Sequence, residues 1–294
     1  MLAARRRPGP LGTVLLAGLV ALTALAGCAA LPTRPAPGPA PAAPPAVLHA
    51  APAVAPAAAP APAGEPGYVP GTGLPAVVAH GRPGGHRIAL TFDSNMTDAM
   101  LHRLDTGQVD SYANTGVVDE LEARHVPATF FLSGKWVERY PGLTRRIAAD
   151  PSFELASHSY AHRGFTAHCY TLDPIPPADM AADVERSFDV LAPFGGHQTR
   201  YFRFPGGCYD GAALRAVAPA HATVVQYDDV GADPFASDAA GITARVLRQA
   251  HDGAIVVLHI TKANAPRTAD ALPGVIDGLR ARGYRLVTLS DLLD

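Results

Sequence analysis

This 294-residue sequence has little net charge, few aromatic residues and only three cysteines. Lysine plus arginine number 24 and aspartate plus glutamate 26, so the formal net charge is only −2. A nucleic-acid-binding protein normally carries a basic excess, so this balance argues against nucleic acid as the partner. Charged residues make up 17% and aromatic residues 7%, but the hydrophobic fraction of 48% is that of a globular protein, which excludes a chain disordered throughout.

Proline and alanine are abundant, and they are concentrated in one stretch. Residues 31–70 contain 13 prolines and 14 alanines. Proline fixes φ and removes a backbone donor, so neither a helix nor a strand ladder can propagate there. Residues 28–75 are therefore predicted to be a linker, extended at roughly 3 Å per residue. Slightly more than 200 residues remain, enough for one sizeable domain and short for two.

The N-terminus is predicted to be an export signal. Arg5, Arg6 and Arg7 precede an uncharged stretch over 11–27 that is short for a membrane span. Its end, Leu25-Ala26-Gly27-Cys28, resembles the lipobox of bacterial lipoproteins. The resemblance implies that residues 1–27 are removed and that Cys28 carries diacylglycerol, which gives an extracytoplasmic protein anchored to the cell membrane by lipid. A plain secretory signal with an incidental cysteine, or an uncleaved anchor, is the alternative.

Short apolar runs alternate with helical patterns from residue 87 onward. The predicted strands are 87–92, 128–132, 153–156, 201–204, 223–227, 254–259 and 285–288, and the predicted helices are 115–125, 141–150, 178–191, 239–250 and 268–282. This alternation predicts an α/β fold with a parallel sheet covered by helices, and about seven such units is near the size of a barrel.

Ionisable residues stand where four of these strands end. They are Asp93, His158, Arg203 and His259. The carboxyl ends of strands converge on one face of a parallel barrel, so these four groups are expected to lie together. Asp93 could instead cap the next loop, and His259 could be a satisfied histidine of the core. His158 and His162 are four residues apart, so their rings would face one cation if a helical turn begins there.

Five short motifs occur in order and together resemble the polysaccharide deacetylase family, also called carbohydrate esterase family four or the nodulation-type deacetylase domain. They are Thr91-Phe92-Asp93, His158-Ser159-x-x-His162, Arg203-Phe204-Pro205-Gly206-Gly207, Asp233 and Leu258-His259. The resemblance covers residues 85–294. It implies a distorted (β/α) barrel of about seven parallel strands, in agreement with the pattern of strands and helices.

The resemblance also implies a role for each motif residue. Asp93 would be the catalytic base and Arg203 would orient it, while His158 and His162 would be metal ligands. A divalent metal is implied, with zinc preferred and cobalt or nickel as alternatives. Such an ion acidifies water and polarises a carbonyl, which amide hydrolysis at neutral pH needs.

The remaining motifs are assigned to the substrate side of the reaction. The backbone N–H of Gly206 would lie in the oxyanion hole, and Leu258 would line the pocket for the acetyl methyl group. His259 would be the general acid that protonates the leaving amine. Asp233 would pair either with the arginine or with this acid.

The sequence departs from the family pattern at the metal site. The family usually has a second aspartate as third ligand, but Asp93 is followed by Ser94 and Asn95. In some relatives the ligand aspartate stands two positions after the first, and Asn95 would occupy that position here. Its amide oxygen can coordinate but carries no charge, so metal affinity should fall. Motif four has Pro234 in place of the usual aromatic residue.

Two cysteines, Cys169 and Cys208, belong to the domain, and an exported compartment permits a disulfide between them. Both follow motif residues and would lie on the active face of a barrel, which favours a bridge over two separate thiols. One or two aromatic residues are expected to stack on sugar, and the candidates are Trp136, Tyr160, Phe165, Tyr170 and Tyr209.

The sequence thus favours an enzyme, a metal-dependent hydrolase of carbon–nitrogen bonds other than peptide bonds. It would remove N-acetyl groups from a cell-envelope polysaccharide such as peptidoglycan or chitin-like oligomers. Two alternatives stay open. One is an O-acetyl esterase, which a weaker metal site would serve because an ester leaves more easily. The other is a non-catalytic lipoprotein that binds glycan on the same fold.

Overall fold

Nine parallel strands form one curled sheet in the computed structural model, which describes residues 72–294. The strands are β1 (Val77–Val78), β2 (Arg87–Asp93), β3 (Ala128–Leu132), β4 (Phe153–Ser157), β5 (His197–Phe202), β6 (Thr223–Val225), β7 (Asp229–Val230), β8 (Ile255–His259) and β9 (Arg285–Val287). Their order is β1-β6-β5-β4-β3-β2-β8-β7, and β9 pairs with the first residues of β2. The predicted signal peptide, Cys28 and nearly all of the linker lie outside the described residues.

The predicted fold class is confirmed, because the sheet is parallel throughout and helices surround it. All seven predicted strands are present. The two additional strands, β1 and β7, have two residues each. Two residues are too few to produce a recognisable hydrophobic pattern, so these strands could not be predicted.

Nine α-helices lie within the described residues: α1 (Asp98–Asp105), α2 (Thr115–Ala123), α3 (Gly134–Arg139), α4 (Pro141–Ala149), α5 (Met180–Leu191), α6 (Gly211–Val217), α7 (Ala239–Gln249), α8 (Thr268–Ala281) and α9 (Leu289–Leu293). The five predicted helices correspond to α2, α4, α5, α7 and α8. The other four have eight residues or fewer. Thr97, Asp210 and Thr288 cap α1, α6 and α9 by accepting backbone N–H groups of the first turn.

Strand β2 lies at the centre of the sheet and is buried on both faces. Ile88, Leu90 and Phe92 pack in the large core between the sheet and the surrounding helices. Ala89 belongs to a second core on the opposite face, which α9 covers through Leu289 and Leu292. This alternation explains why β2 is a continuous apolar run, and it fixes the position of Asp93 at the strand's carboxyl end.

No helix within residues 72–294 is long and apolar enough to cross a membrane.

Candidate active site

The predicted strand-end residues converge at the carboxyl edge of the sheet. Asp93 ends β2 and His259 ends β8, and the two are register partners in adjacent strands. His158 follows β4 directly, and Arg203 follows β5. A cavity of about 520 Å³ opens here, and its walls include Asp93, His158, His162, Gly206, Asp233 and His259.

Asp93 is held as a carboxylate by a buried arginine. Its Oδ1 accepts a hydrogen bond of 2.7 Å from Nη1 of Arg203, whose side chain is completely buried. Burial raises the pKa of Asp93, but the charge of Arg203 and then of His158 lowers it, and the net pKa lies below the ordinary value of 3.8. Asp93 is therefore ionised at neutral pH.

Arg203 cannot reorient, because each part of its guanidinium has a partner. Nη1 also donates to Oγ1 of Thr91 at 2.8 Å, and Nη2 donates to the carbonyl oxygen of Gln226 at 3.1 Å. The guanidinium carbon lies 4.0 Å from the ring centre of Phe131. These contacts satisfy a charge that would be costly to bury alone, and they fix the direction in which Asp93 points.

His158 presents its Nε2 to the cavity. Its Nδ1 lies 2.9 Å from the carbonyl oxygen of Arg203, so Nδ1 is the protonated nitrogen and donates. Nε2 lies 3.6 Å from Oδ2 of Asp93. Burial is the largest influence on the His158 pKa and lowers it, so the ring is neutral with a free lone pair on Nε2.

His162 is the second imidazole, and its ring centre lies 5.0 Å from that of His158. Neither ring nitrogen of His162 has a hydrogen-bond partner within residues 72–294, although the residue is 4% exposed. Burial, followed by the nearby His158, lowers the pKa of His162 well below its ordinary value. Two neutral imidazoles with free nitrogens thus face the same space.

The helical turn considered for 158–162 does not form, because these residues are a loop. Ser159 and His162 both have positive φ values, 65° and 50°, which bring the rings together without a helix. Asp183 of α5 holds the loop, since its carboxylate accepts the backbone N–H groups of Tyr160 at 3.0 Å and Ala161 at 3.1 Å. Sequence reasoning missed Asp183, because its partners lie more than twenty residues away.

His259 is paired with Asp233 and lines the cavity, so it is not a structural histidine of the core. Its Nδ1 lies 2.9 Å from Oδ1 of Asp233, while its backbone N–H donates to Oδ2 at 2.8 Å. Thr268 also donates to Oδ2, at 2.6 Å. Burial is the largest single influence on the pKa of His259 and lowers it, but the charge and hydrogen bond of Asp233 and the charge of Asp93 together raise it by more, so the net pKa is above 6.5. Of the two partners expected for Asp233, the structure thus provides His259.

His158, His162 and Asn95 all line the cavity, and together they offer the kinds of atoms that a divalent cation would take as ligands. Oδ1 of Asn95 is buried and has no hydrogen-bond partner in the described part of the chain, like both nitrogens of His162. Among residues 72–294, no three His, Cys, Asp or Glu side chains form a metal-binding group. The available set is therefore two imidazole nitrogens and one neutral amide oxygen, a donor set of low charge that suits zinc, cobalt or nickel.

Gly206 and Leu258 were both expected to contact the substrate, but only Gly206 lines the cavity. Gly206 lines the cavity and has a φ of 65°, a conformation that favours glycine. Leu258 is fully buried in the core between sheet and helices, and the cavity wall at this level is formed by Val257. The expectation that Leu258 lines the cavity is therefore wrong, and the residue of β8 next to it that does so is Val257.

A disulfide joins Cys169, in the loop after the histidines, to Cys208 after Gly207. Each cysteine is next in the chain to a residue that lines the cavity, Tyr170 for Cys169 and Gly207 for Cys208. The bridge expected on the active face is therefore present. Of the aromatic candidates, Tyr170 lines the cavity, whereas Trp136 and Phe165 are buried in the core. Sequence reasoning missed Phe235, which also lines the cavity and is exposed.

A family model, the polysaccharide deacetylase model, matches residues 80–225. Residues 80–225 thus match the polysaccharide deacetylase family. The matched residues of the deacetylase domain include Asp93, His158, His162 and Arg203. Asp233 and His259 lie beyond the match, so their place beside the other four rests on the structure.

The deacetylase domain is similar to proteins named for action on peptidoglycan. A peptidoglycan-N-acetylglucosamine deacetylase of Bacillus cereus is 25% identical over 60% of this chain and 62% of its own length. The crystal structure of a peptidoglycan N-acetylglucosamine deacetylase superposes with a TM-score of 0.62, at 23% identity, over 74% of this chain and 92% of that one. At that identity the superposition establishes the shared fold.

A match to this family alone does not fix activity. A structure described as a pseudoenzyme of carbohydrate esterase family four, from Bacillus anthracis, superposes with a TM-score of 0.59 at 22% identity, over 74% of this chain and 69% of that one. The chain spans between 30% and 62% of the length of the first curated relatives that it matches.

Proposed function

We propose that this domain removes N-acetyl groups from a cell-envelope glycan, such as peptidoglycan or chitin-like oligomers. The observation that carries the proposal is a pair of opposed acid–base units at the end of β2 and β8. One is Asp93 with Arg203, and the other is His259 with Asp233. Their pKa values are moved in opposite directions, which is how a site keeps one base and one acid at the same pH.

The two units divide the proton transfers of hydrolysis. Asp93 is ionised and accepts the proton of the attacking water, through Oδ2, since Oδ1 is occupied by Arg203. His259 is protonated more readily than an ordinary histidine, and Asp233 holds its Nδ1, so Nε2 donates a proton to the leaving amine. We assign to the backbone N–H of Gly206, a residue that lines the cavity, the stabilisation of the negative charge that develops on the acetyl oxygen.

His158, His162 and Asn95 would hold the divalent metal that the family implies, with zinc preferred. When bound, such an ion polarises the acetyl carbonyl and acidifies the attacking water. His158 is prepared for this role, because Arg203 accepts from its Nδ1 and leaves Nε2 free. Asn95 supplies oxygen without charge, so we expect weaker metal binding than a carboxylate in its place would give.

Acetate release is the direct test. Purified protein, reconstituted with zinc, cobalt or nickel, should release acetate from peptidoglycan or from N-acetylglucosamine oligomers. Asp93→Asn should abolish release, whereas Asp189→Asn, an exposed carboxylate on α5, should retain it. No acetate with any metal would refute deacetylation. Glycan binding without release or bound metal would instead favour the non-catalytic binder, a state for which the pseudoenzyme in this fold is a precedent.

The O-acetyl esterase is the second candidate, and Asn95 is the observation that favours it. An alkoxide leaves more easily than an amine, so a weakly charged metal site is sufficient for an ester. The rates of acetate release from acetylated xylan and from N-acetylglucosamine oligomers separate the two activities. Acetate release from acetylated xylan without any from N-acetylglucosamine oligomers would assign O-deacetylation.

For the N-terminal part of the chain, we propose a signal peptide over 1–27, lipidation at Cys28 and a linker over 28–75. The domain would then act outside the cytoplasm, held at the membrane and near its wall glycan. Cys28→Ala should release the protein from membranes and abolish incorporation of a labelled fatty acid. Membrane attachment that survives this change would support an uncleaved anchor.

A further inference from the structure

Two large aromatic side chains at the cavity mouth are exposed. Tyr170 is 75% exposed and Phe235 is 78% exposed, and both line the cavity. Burying an aromatic ring is strongly favourable, so rings left open beside a cavity indicate a contact with something that is brought to it.

The two rings form a single surface, although they come from distant parts of the chain. Tyr170 lies in the loop between β4 and α5, and Phe235 lies in the segment between β7 and α7. Their ring centres are 6.4 Å apart and their planes are tilted by 32°. We call this pair the aromatic platform.

The Tyr170 half of the platform is fixed to the cavity wall. Its neighbour Cys169 is bonded to Cys208, so the loop cannot swing away. The ring also lies against Gly206, where an added Cβ would come within 3.1 Å of it and within 2.8 Å of Sγ of Cys169. Because this half of the platform is held before a ligand arrives, Tyr170 loses little conformational freedom on binding.

We propose that the aromatic platform is a binding subsite for a neutral pyranose ring, one sugar away from the acetamido sugar whose acetyl group enters the cavity. This inference rests on the proposed function, since it specifies how a glycan chain lies on the same site. Aromatic faces match the apolar C–H face of a pyranose, and neither platform side chain carries charge. The domain should accordingly bind oligosaccharides in preference to the single sugar.

The test is binding of the N-acetylglucosamine tetramer and of the monosaccharide, measured by calorimetry in an Asp93→Asn background that prevents turnover. Tyr170→Ala and Phe235→Ala should each weaken tetramer binding by about tenfold, the equivalent of about 1.4 kcal/mol. Covering about 55 Å² of ring face accounts for a loss of that size. The affinity for the monosaccharide should not change.

Matched variants separate stacking from general damage. Tyr170→Phe and Phe235→Tyr keep an aromatic face and should retain tetramer affinity. Tyr209→Ala removes a ring that is 39% exposed, stacks on Phe204 and lies outside the cavity wall, so it should have no effect. Thermal unfolding of each variant shows that it is folded.

The outcomes distinguish the subsite from the activity. Unchanged tetramer affinity in both alanine variants, or an equal loss in Tyr209→Ala, would overturn the platform. A tenfold loss confined to the platform variants supports it, even if the unmodified domain releases no acetate. In that case the platform stands and the deacetylase proposal fails.

Discussion

Replacing Asp229 with asparagine should make the stability of the domain less dependent on pH. Asp229 lies on β7 beside Val256 of β8 and is completely buried. Neither carboxylate oxygen has a hydrogen-bond partner within the described residues. Burial, with a smaller contribution from the charge of Asp228, raises the pKa of Asp229 from 3.8 to about 8.

The sign of the effect follows from proton binding. Between pH 4 and 8 the native carboxyl keeps its proton while the unfolded chain has lost it. The native state therefore binds more protons than the unfolded state, and stability falls as pH rises through this range. Each pKa unit corresponds to about 1.4 kcal/mol, so the shift to about 8 costs about 4 kcal/mol at pH 7 relative to the protonated form.

Asparagine cannot ionise, so the Asp229→Asn variant lacks this loss. We expect the free energy of unfolding of the variant, minus that of the unmodified domain, to increase by about 4 kcal/mol from pH 4 to pH 7 and to level off above pH 8. Urea unfolding at half-unit intervals of pH measures both proteins. Subtracting one free energy of unfolding from the other cancels the titration of the histidines and of every other group that the two proteins have in common.

A constant difference across this pH range would refute the reasoning, because it would mean that Asp229 titrates alike in both states. Asp105→Asn is the matched control. Asp105 is exposed at the end of α1, so this exchange reports what removing one carboxylate does at the surface.

Three further predictions concern the metal ligands, their support and the disulfide. Asn95→Asp adds a negative charge beside two imidazoles and should tighten zinc binding by at least about tenfold in chelator competition; equal affinity would exclude Asn95 from the site. Asp183→Ala removes both oxygens that accept from the histidine loop and should weaken zinc binding by about 10- to 100-fold in the same assay, whereas Asp189→Ala should not. Replacing Cys169 and Cys208, 39 residues apart, with serine should lower the free energy of unfolding by about 4 kcal/mol, and urea unfolding that matches the disulfide-bonded form would contradict this.

The sequence was most informative about the central strands and the residues at their ends. Buried parallel strands are continuous apolar runs, and such runs predicted most of the seven longer strands. The exception is β5, whose sequence HQTRYF is largely polar and which the prediction of 201–204 overlaps at two residues only. Since the carboxyl ends of parallel strands share one edge, Asp93, His158, Arg203 and His259 could be grouped without knowing any loop. Their distances depend on register, which only the structure supplies.

The histidine loop shows why local spacing is insufficient. A separation of four residues suggested a helical turn, but positive φ at Ser159 and His162 achieves the same convergence in a loop. That conformation is stabilised by Asp183 from another element. Contacts of this kind follow from tertiary packing and leave no signal in a five-residue window.

The expected position of Leu258 in the cavity wall is an inference that strand geometry could have corrected. Side chains alternate between the two faces of a strand, so Val257 and His259 share one face of β8 while Leu258 points to the other. Since His259 faces the cavity, this alternation places Val257 there as well. The role taken for Leu258 from the family resemblance conflicted with a rule that was already available.

The two ends of the sheet are its shortest strands, β1 and β7, with two residues each. A long strand at an edge offers a row of free N–H and C=O groups on which another chain can build a further strand. Two residues offer too few such groups for stable pairing. The curled sheet can thus stay open at its sides without becoming a template for aggregation.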